Sequence, residues 1–477
     1  LLISVKVILS LKTFVGNKLR LLRRENGHTQ AQMASRLGVS SAYINQIENN
    51  QRTLSLRILI GLLEQYGVDW HDILNDDDDR TLIELKSALS DPIFNTSSTS
   101  ARELQIVSDS APEFASNFLK LLNDYRQLVD VMTRLGSEGM PTSVIKVSSE
   151  ALIHDFFRDN LNHFPTLEDA AEKLQRTLPL ETEKQYLFIC ERLEKKHNIK
   201  VKIKKVDVIG DTLRIFDRDN KEIWLSEAFD SINRKFQLLH LICLIEEETL
   251  LDKITSNMGD QSSLTISRCK VELANYFAAA ALMPYEAFLS MAENVAYDID
   301  RLSIRFGVSA EQVCHRLTTL QRSGRRGIPF FFLRIDKAGN VTKRFNATAF
   351  QIAQYGGACP VWNLHTAFRT PGVIVPQFVE MTDGEKFFTL SRTTERPTYS
   401  SDTQDHRLVM SLGCKVEHAE KMAYAMPLAP KEHRAFAKIG INCHLCPREG
   451  CSQRAHQPMV KELNFDPSRR GTTRYDA

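Results

Sequence analysis

Three cysteines near the end of the chain, Cys443, Cys446 and Cys451, are spaced C-x2-C-x4-C. Thiolates bind zinc and iron-sulfur clusters, and this spacing places three of them within one loop. The fourth ligand falls to Cys359, shortly after Gly356 and Gly357, or to Cys414, after Gly413, with His444 the alternative for zinc. A metal-free set of redox-active or inert thiols is the competing reading. Near the other end, Ser41, Ala42, Tyr43, Asn45, Gln46 and Asn49 make a short polar, uncharged surface. Asn and Gln amides pair with adenine edges in a major groove, and Gln30, Arg36 and Arg52 fall where backbone phosphates would run.

The elements that must hold those amides are four short helices between residues 14 and 70. The first carries Val15, Leu19 and Leu22 and ends at Gly27. Thr29 caps a second with Met33, Ala34 and Leu37, and Gly38-Val39 make the turn. Ser40 caps a third with Ile44 and Ile47 inward, and a fourth has Leu56, Leu59, Ile60 and Leu63. The run TQAQMASRLGVSSAYINQIENNQRTLSL resembles the lambda-repressor-like (XRE-type) regulators. That resemblance implies binding of a double-stranded DNA operator, usually as a homodimer on a palindromic site.

At 477 residues and 54.3 kDa, with 43% hydrophobic and 25% charged residues, the chain has the composition of a globular protein of about three domains. Collagen, a disordered chain and a small disulfide-stapled domain are excluded. A formal charge of +2 confines nucleic-acid contact to a local patch. Nine cysteines, an odd number scattered along the chain, indicate reduced thiols plus one metal or cluster site. No apolar run is long enough to span a membrane, and residues 1–14, apolar but with Lys6 and Lys12, lack a small-residue cleavage pattern. The expectation is a cytoplasmic protein without a membrane partner.

Residues 71–150 read as a helical connector: four aspartates at Asp76 to Asp79, a Ser/Thr loop at 97–100, then apolar residues at helical spacing from Phe114 to Leu135. Residues 151–335 begin with a helix from Glu168 to Leu178. Strands follow through Val201, Ile203 and Val206, through Leu213 and Ile215, and through Ile223 to Leu225, with a turn at Asp217 to Asn220. Then come INRKFQLLHLICLIEEE and SRCKVELANYFAAAALMPYEAF, an order that resembles the ImmA/IrrE metallopeptidase-like domain. Active members carry His-Glu-x-x-His, two imidazoles for zinc and a carboxylate to activate water. Here His240 and Glu272 match ligand positions, while Leu241 and Leu244 replace the base and the second histidine. One imidazole and one carboxylate do not make a three-ligand catalytic zinc site, so the expectation is a non-enzymatic domain whose cleft serves another use. The unit DRLSIRFGVSAEQVCHRLTTL, although it contains Gly307-Val308-Ser309, reads as structural packing.

Residues 336–477 change texture to short strands with Asp-Gly and Gly-Asn turns, and contain GGACPVWN and CHLCPREGCSQRA. The expected fold is multidomain and mainly α with α+β parts: a lambda-repressor-like helix-turn-helix, an ImmA/IrrE-like α+β middle, and a small α+β carboxy-terminal domain with the cysteine cluster. This combination resembles the short-chain fatty acyl transcriptional regulators, the RamB and PrpR group, over nearly all the chain after Phe14. The resemblance implies control of acetate, propionate, glyoxylate or methylcitrate genes in response to short-chain acyl-CoA, with an iron-sulfur cluster in some relatives. An acyl-CoA effector needs cations for its phosphates and an apolar slot. Arg234, Lys235, Arg322, Arg325 and Arg326 are the candidate cations, Tyr276 and Tyr285 the candidates for the acyl end, and His240 marks the cleft. A metallopeptidase acting on a repressor and a regulator driven chiefly by redox state are the alternatives.

Overall fold

The computed structural model describes residues 16–49, 52, 58, 61–62, 65–66, 77–89, 101–138, 149–179, 181–210, 212–258, 262–346, 348, 350, 357–394, 407–425, 435–458 and 468. Residues 1–15, the 97–100 loop and Leu56, Leu59, Ile60 and Leu63 of the expected fourth helix lie outside them. The chain divides into two units, residues 1–126 with 323–325, and 127–322 with 326–477.

In the first unit, helices α1 (Gly16–Glu25), α2 (Gln30–Leu37) and α3 (Ser41–Glu48) are set by their ends. Thr29 and Gln32 form a reciprocal capping box, Ser40 Oγ accepts from the Tyr43 N–H at 3.2 Å, and Gly38 ends α2 at φ 64°, a conformation that suits glycine. Leu19, Met33, Ala34, Leu37, Ile44, Ile47, Ile58 and Leu62 form the core. Helices α4 (Asp77–Leu89), α5 (Ala101–Ser110) and α6 (Pro112–Glu138) follow, packed through Leu85, Leu104 and Ala115. Asp77 to Asp79 open α4, where carboxylates favour the positive end of the helix dipole.

The second unit opens with α7 (Ser149–Asp159), α8 (Pro165–Gln175) and α9 (Thr182–His197). A three-stranded sheet of order β1-β3-β2 follows, from β1 (Lys200–Lys204), β2 (Arg214–Asp217) and β3 (Glu222–Ser226). Val206, expected in a strand, instead begins the short helix α10 (Val206–Ile209), its N–H held by Glu227 Oε1 at 3.1 Å. Next come α11 (Ser231–Glu246), α12 (Glu248–Thr255), α13 (Ser263–Leu282), α14 (Tyr285–Asn294), α15 (Ile299–Phe306) and α16 (Ala310–Thr318). Helix α13 packs against α7, α8 and α11 and is buried almost all round, Ala278 to Ala281 letting its neighbours approach. The α15–α16 pair shares the Gly-Val-Ser turn of α2–α3, but Val308, Val313, Cys314 and Leu317 sit in the core.

The remaining strands form one sheet of order β5-β4-β8-β7-β6-β9. They are β4 (Phe331–Ile335), β5 (Val341–Asn346), β6 (Val375–Glu380), β7 (Lys386–Thr394), β8 (Leu408–Lys415) and β9 (Ala437–Lys438). One face, with Phe332, Phe388, Leu390, Met410 and Leu412, joins the helical core. The other, with Phe331, Leu333, Phe387 and Val409, packs beneath Cys359, Trp362 and Leu364. Phe331 lies flat beside Gly413, where a Cβ would strike its ring.

Candidate functional site

Helix α3 leaves Ser41, Ala42, Asn45, Gln46 and Asn49 exposed, while Ile44 and Ile47 are buried. Tyr43 is half-buried and carries the Arg52 guanidinium 4.6 Å from its ring centroid; Arg36 is exposed on α2. The helix is fastened by a residue that composition alone does not single out. Glu48, 3% exposed, accepts from Arg23 at 2.6 and 3.0 Å and from Gln30 Nε2 at 2.8 Å. Burial alone would raise its pKa, but these partners hold the carboxyl below its usual range. Gln30 therefore reaches inward to Glu48 and also lies 3.4 Å from Asn45 Oδ1. Asn49 donates to Asn45 Oδ1 at 2.9 Å and accepts from Arg20 at 2.7 Å, which fixes the plane of the Asn45 amide. The surface is pre-organised for flat hydrogen-bonding edges.

At the other end, Cys359, Cys443, Cys446 and Cys451 line one hollow together with Lys438, Gly440, Arg448 and Arg454. Burial pushes the Cys359 thiol up, partly offset by the backbone N–H groups of Gly440 and Val361 at its sulfur. A Cβ on Gly440 would come within 2.7 Å of Cys446 Sγ, so glycine leaves that sulfur its room. Arg448 donates to the carbonyls of Glu380 at 2.8 Å and Ile439 at 3.1 Å, and Arg454 to that of Cys446 at 3.4 Å, pinning the loop to the sheet. Cys414 lies elsewhere: on β8 opposite Phe388, fully buried, 3.6 Å from Met422 Sδ in the helical core. His444 stacks on His456 with centroids 4.4 Å apart. Four thiols with N–H donors at one of them suit zinc or an iron-sulfur cluster in kind. Among the described residues no three His, Cys, Asp or Glu side chains already converge as a metal-holding group, so loading would draw the thiols inward.

The candidate effector residues divide among several environments. Tyr276 and Tyr285 are buried. The Tyr276 hydroxyl donates to Glu168 at 2.6 Å, and the Tyr285 hydroxyl accepts from the Arg322 backbone N–H at 2.9 Å. Arg322 stacks on the Tyr285 ring at 4.1 Å and pairs with Glu172 and Glu286, both at 3.2 Å. Arg234 donates to the Glu227 carbonyl at 3.0 Å, Lys235 is buried, with its pKa lowered by that burial, and Arg325 and Arg326 are half-buried.

Three family models cover this organisation: Helix-turn-helix over residues 19–73, IrrE N-terminal-like domain over 194–318, and Short-chain fatty acyl coenzyme A regulator, C-terminal, over 319–475. The chain is 37% identical to the Propionyl-CoA carboxylase regulator of Cereibacter sphaeroides, over 98% of this chain and 99% of that protein. It belongs to the short-chain fatty acyl transcriptional regulators. This regulator is also 32% identical to the HTH-type transcriptional regulator RamB of Mycobacterium tuberculosis, over 97% of this chain and 98% of that one. It is 33% identical to PrpR of the same species, over 93% and 92%. A solved structure described as a Mycobacterium tuberculosis transcriptional regulator matches with a TM-score of 0.65 at 33% identity, covering 69% of this chain and all (100%) of that one.

In the regulator's IrrE-like segment, each residue that matches a peptidase ligand is engaged by a cation of the chain itself. Arg214 Nη1 lies 3.0 Å from His240 Nδ1; a guanidinium only donates, so Nδ1 accepts and the ring is neutral with its proton on Nε2. Burial, and then the Arg214 charge, push the His240 pKa down to about 4. Glu272 pairs with Lys343 of β5 at 3.1 Å, and this ammonium outweighs burial to keep the carboxyl below its usual range. Leu241 is buried and Leu244 packs on the core. Neither cation was legible from the sequence, because Arg214 and Lys343 lie 26 and 71 positions from their partners. Among the described residues no helix is long and apolar enough to cross a membrane.

Proposed function

We propose that this chain is a DNA-binding regulator of short-chain acyl-CoA metabolism, acting on acetate, propionate, glyoxylate or methylcitrate genes, and that acyl-CoA changes its operator affinity. The observation that carries this reading is the full-length similarity to a protein named for regulating propionyl-CoA carboxylase, joined to an exposed amide face on α3. The acyl-CoA phosphates would meet Arg234, Lys235, Arg322, Arg325 and Arg326 of the middle segment. The cleft around His240, closed to a peptidase zinc by its guanidinium partner, is available for ligand binding without hydrolysis.

Titration of the full chain with acetyl-, propionyl- and butyryl-CoA by calorimetry is expected to show binding that weakens as salt rises, because phosphate contacts are screened. The same acyl-CoA is expected to shift the DNA-binding midpoint. Binding of none of the three to folded protein would overturn the sensing assignment.

We further propose that Cys359, Cys443, Cys446 and Cys451 hold an iron-sulfur cluster that gives the regulator a second, redox input. Support comes from their shared hollow and from the N–H groups at Cys359. A cluster would supply thiolate-bound iron whose loss releases the loop from β9. Anaerobically purified protein is expected to be brown with broad absorption near about 400 nm, bleached in Cys446→Ser and retained in Cys414→Ser. Colourless anaerobic protein carrying one zinc would replace the redox input with a structural metal.

A further inference from the structure

Helix α6 has two apolar faces. One is covered within its own unit, where Ala115, Leu119 and Leu122 pack with Leu85 and Leu104. On the other, Phe114 is 64% exposed, Leu121 68% and Tyr125 39%. Phe114, Phe118, Leu121 and Tyr125 follow a 4-3-4 spacing, and the sequence carries it on through Leu128, Met132 and Leu135. That alternation averages 3.5 residues, the repeat that keeps one seam of a helix against a second helix. A surface helix closing only its own core needs a single stripe; this one has a second.

We infer that this stripe is a homodimer seam, on which α6 of a second copy of the chain packs. Three features select a second copy. The spacing is self-complementary, since a 3.5-residue seam fits a helix with the same repeat, and a two-fold pair supplies that automatically. Between Pro112 and Leu128 the helix carries Glu113 and Asp124 against Lys120 and Arg126, a balance that gives neither an anionic membrane nor nucleic acid an electrostatic hold. The length also suffices: 27 residues span roughly 40 Å, and two such seams bury on the order of 1,200 Å², the lower edge of stable interfaces. The pairing rests on the DNA-binding reading only in its use, because two copies bring two α3 helices to one palindrome.

The test is light-scattering mass of the full chain at micromolar concentration without DNA, so that it stands or falls apart from operator binding. Wild type is expected at twice the 54.3 kDa chain mass, and Phe114→Glu with Leu121→Glu at the single mass, its dissociation constant raised at least about 100-fold. Both positions face solvent within the unit, so far-ultraviolet dichroism should not change. As a second measurement that leaves the seam apolar, Leu121→Cys treated with a short bismaleimide is expected to give a covalent dimer that Asn123→Cys and wild type do not. A monomeric wild type, a folded double variant that remains dimeric, or equal cross-linking at positions 121 and 123 would each overturn the seam.

Discussion

Arg316→Met is expected to destabilise the second unit by about 3–5 kcal/mol, the usual consequence of stripping one partner from a buried ion pair. Arg316 is 0% exposed and Glu168 1%, and they meet through both guanidinium nitrogens, Nη2 to Oε2 at 2.9 Å. Arg316 Nε also serves the Met283 carbonyl at 2.9 Å, which the substitution leaves without that donor. Burial alone would raise the Glu168 pKa, but Arg316 and the Tyr276 hydroxyl hold it below the usual carboxylate range. The sign follows. In wild type this pair stabilises fully above the unfolded carboxyl pKa, and the contribution is lost as pH falls through the lower folded one. In the variant an unpaired buried carboxylate titrates upward, so the deficit should be greatest near neutrality and shrink in acid. Urea unfolding followed by the fluorescence of Trp224 and Trp362 at neutral and acidic pH measures both; a variant within 1 kcal/mol (about the usual single-mutation effect) at neutral pH would show that the pair contributes little.

Operator affinity is expected to fall by about 2–5 kcal/mol, roughly 30- to 5,000-fold, when Asn45 and Gln46 are both replaced by Ala, at about 1–3 kcal/mol per base contact. Both are exposed, so the fold should be unchanged. Neither is a cation, so the salt dependence of binding should keep its slope while its intercept drops. Titration against DNA selected by the wild-type protein measures this, and equal affinity of the double variant would remove α3 as the reading helix. Glu48→Ala should also weaken binding, but through loss of folded helix-turn-helix, because it releases Arg23 and Gln30 together.

What was legible in the sequence was local. Thr29, Gly38 and Ser40 announce α2 and α3 because a cap and its helix lie within a few residues of each other, and Ile44 and Ile47 report burial by spacing alone. The turn at Asp217 to Asn220 was readable for the same reason, an Asp closing on the Asn220 N–H at 3.0 Å. Glu168 and Arg316 stand 148 positions apart, and nothing in either neighbourhood announces the other. Cys359 and Cys414 looked equivalent, each following glycine. Strand parity separates them in the structure: Cys414 pairs across from Phe388 and so points to the helical side of the sheet. Tyr276 and Tyr285 could be placed near the Glu272 helix, but the use of their hydroxyls inside the core depends on chain brought from α8 and the α16 end.

Phe387 and Phe388 are successive residues of β7, and they belong to different cores: the first lies under the cysteine loop, the second among the helices. One peptide unit therefore separates the two interiors, where domains joined by a tether would have a hinge. Strand alternation makes any tilt of β7 a see-saw, since a side chain lifted on one face sinks on the other. Close packing leaves neither core slack to absorb that movement. The sheet thus acts as a shared diaphragm, and strain at the thiol loop meets the helical interior across the thickness of one backbone layer.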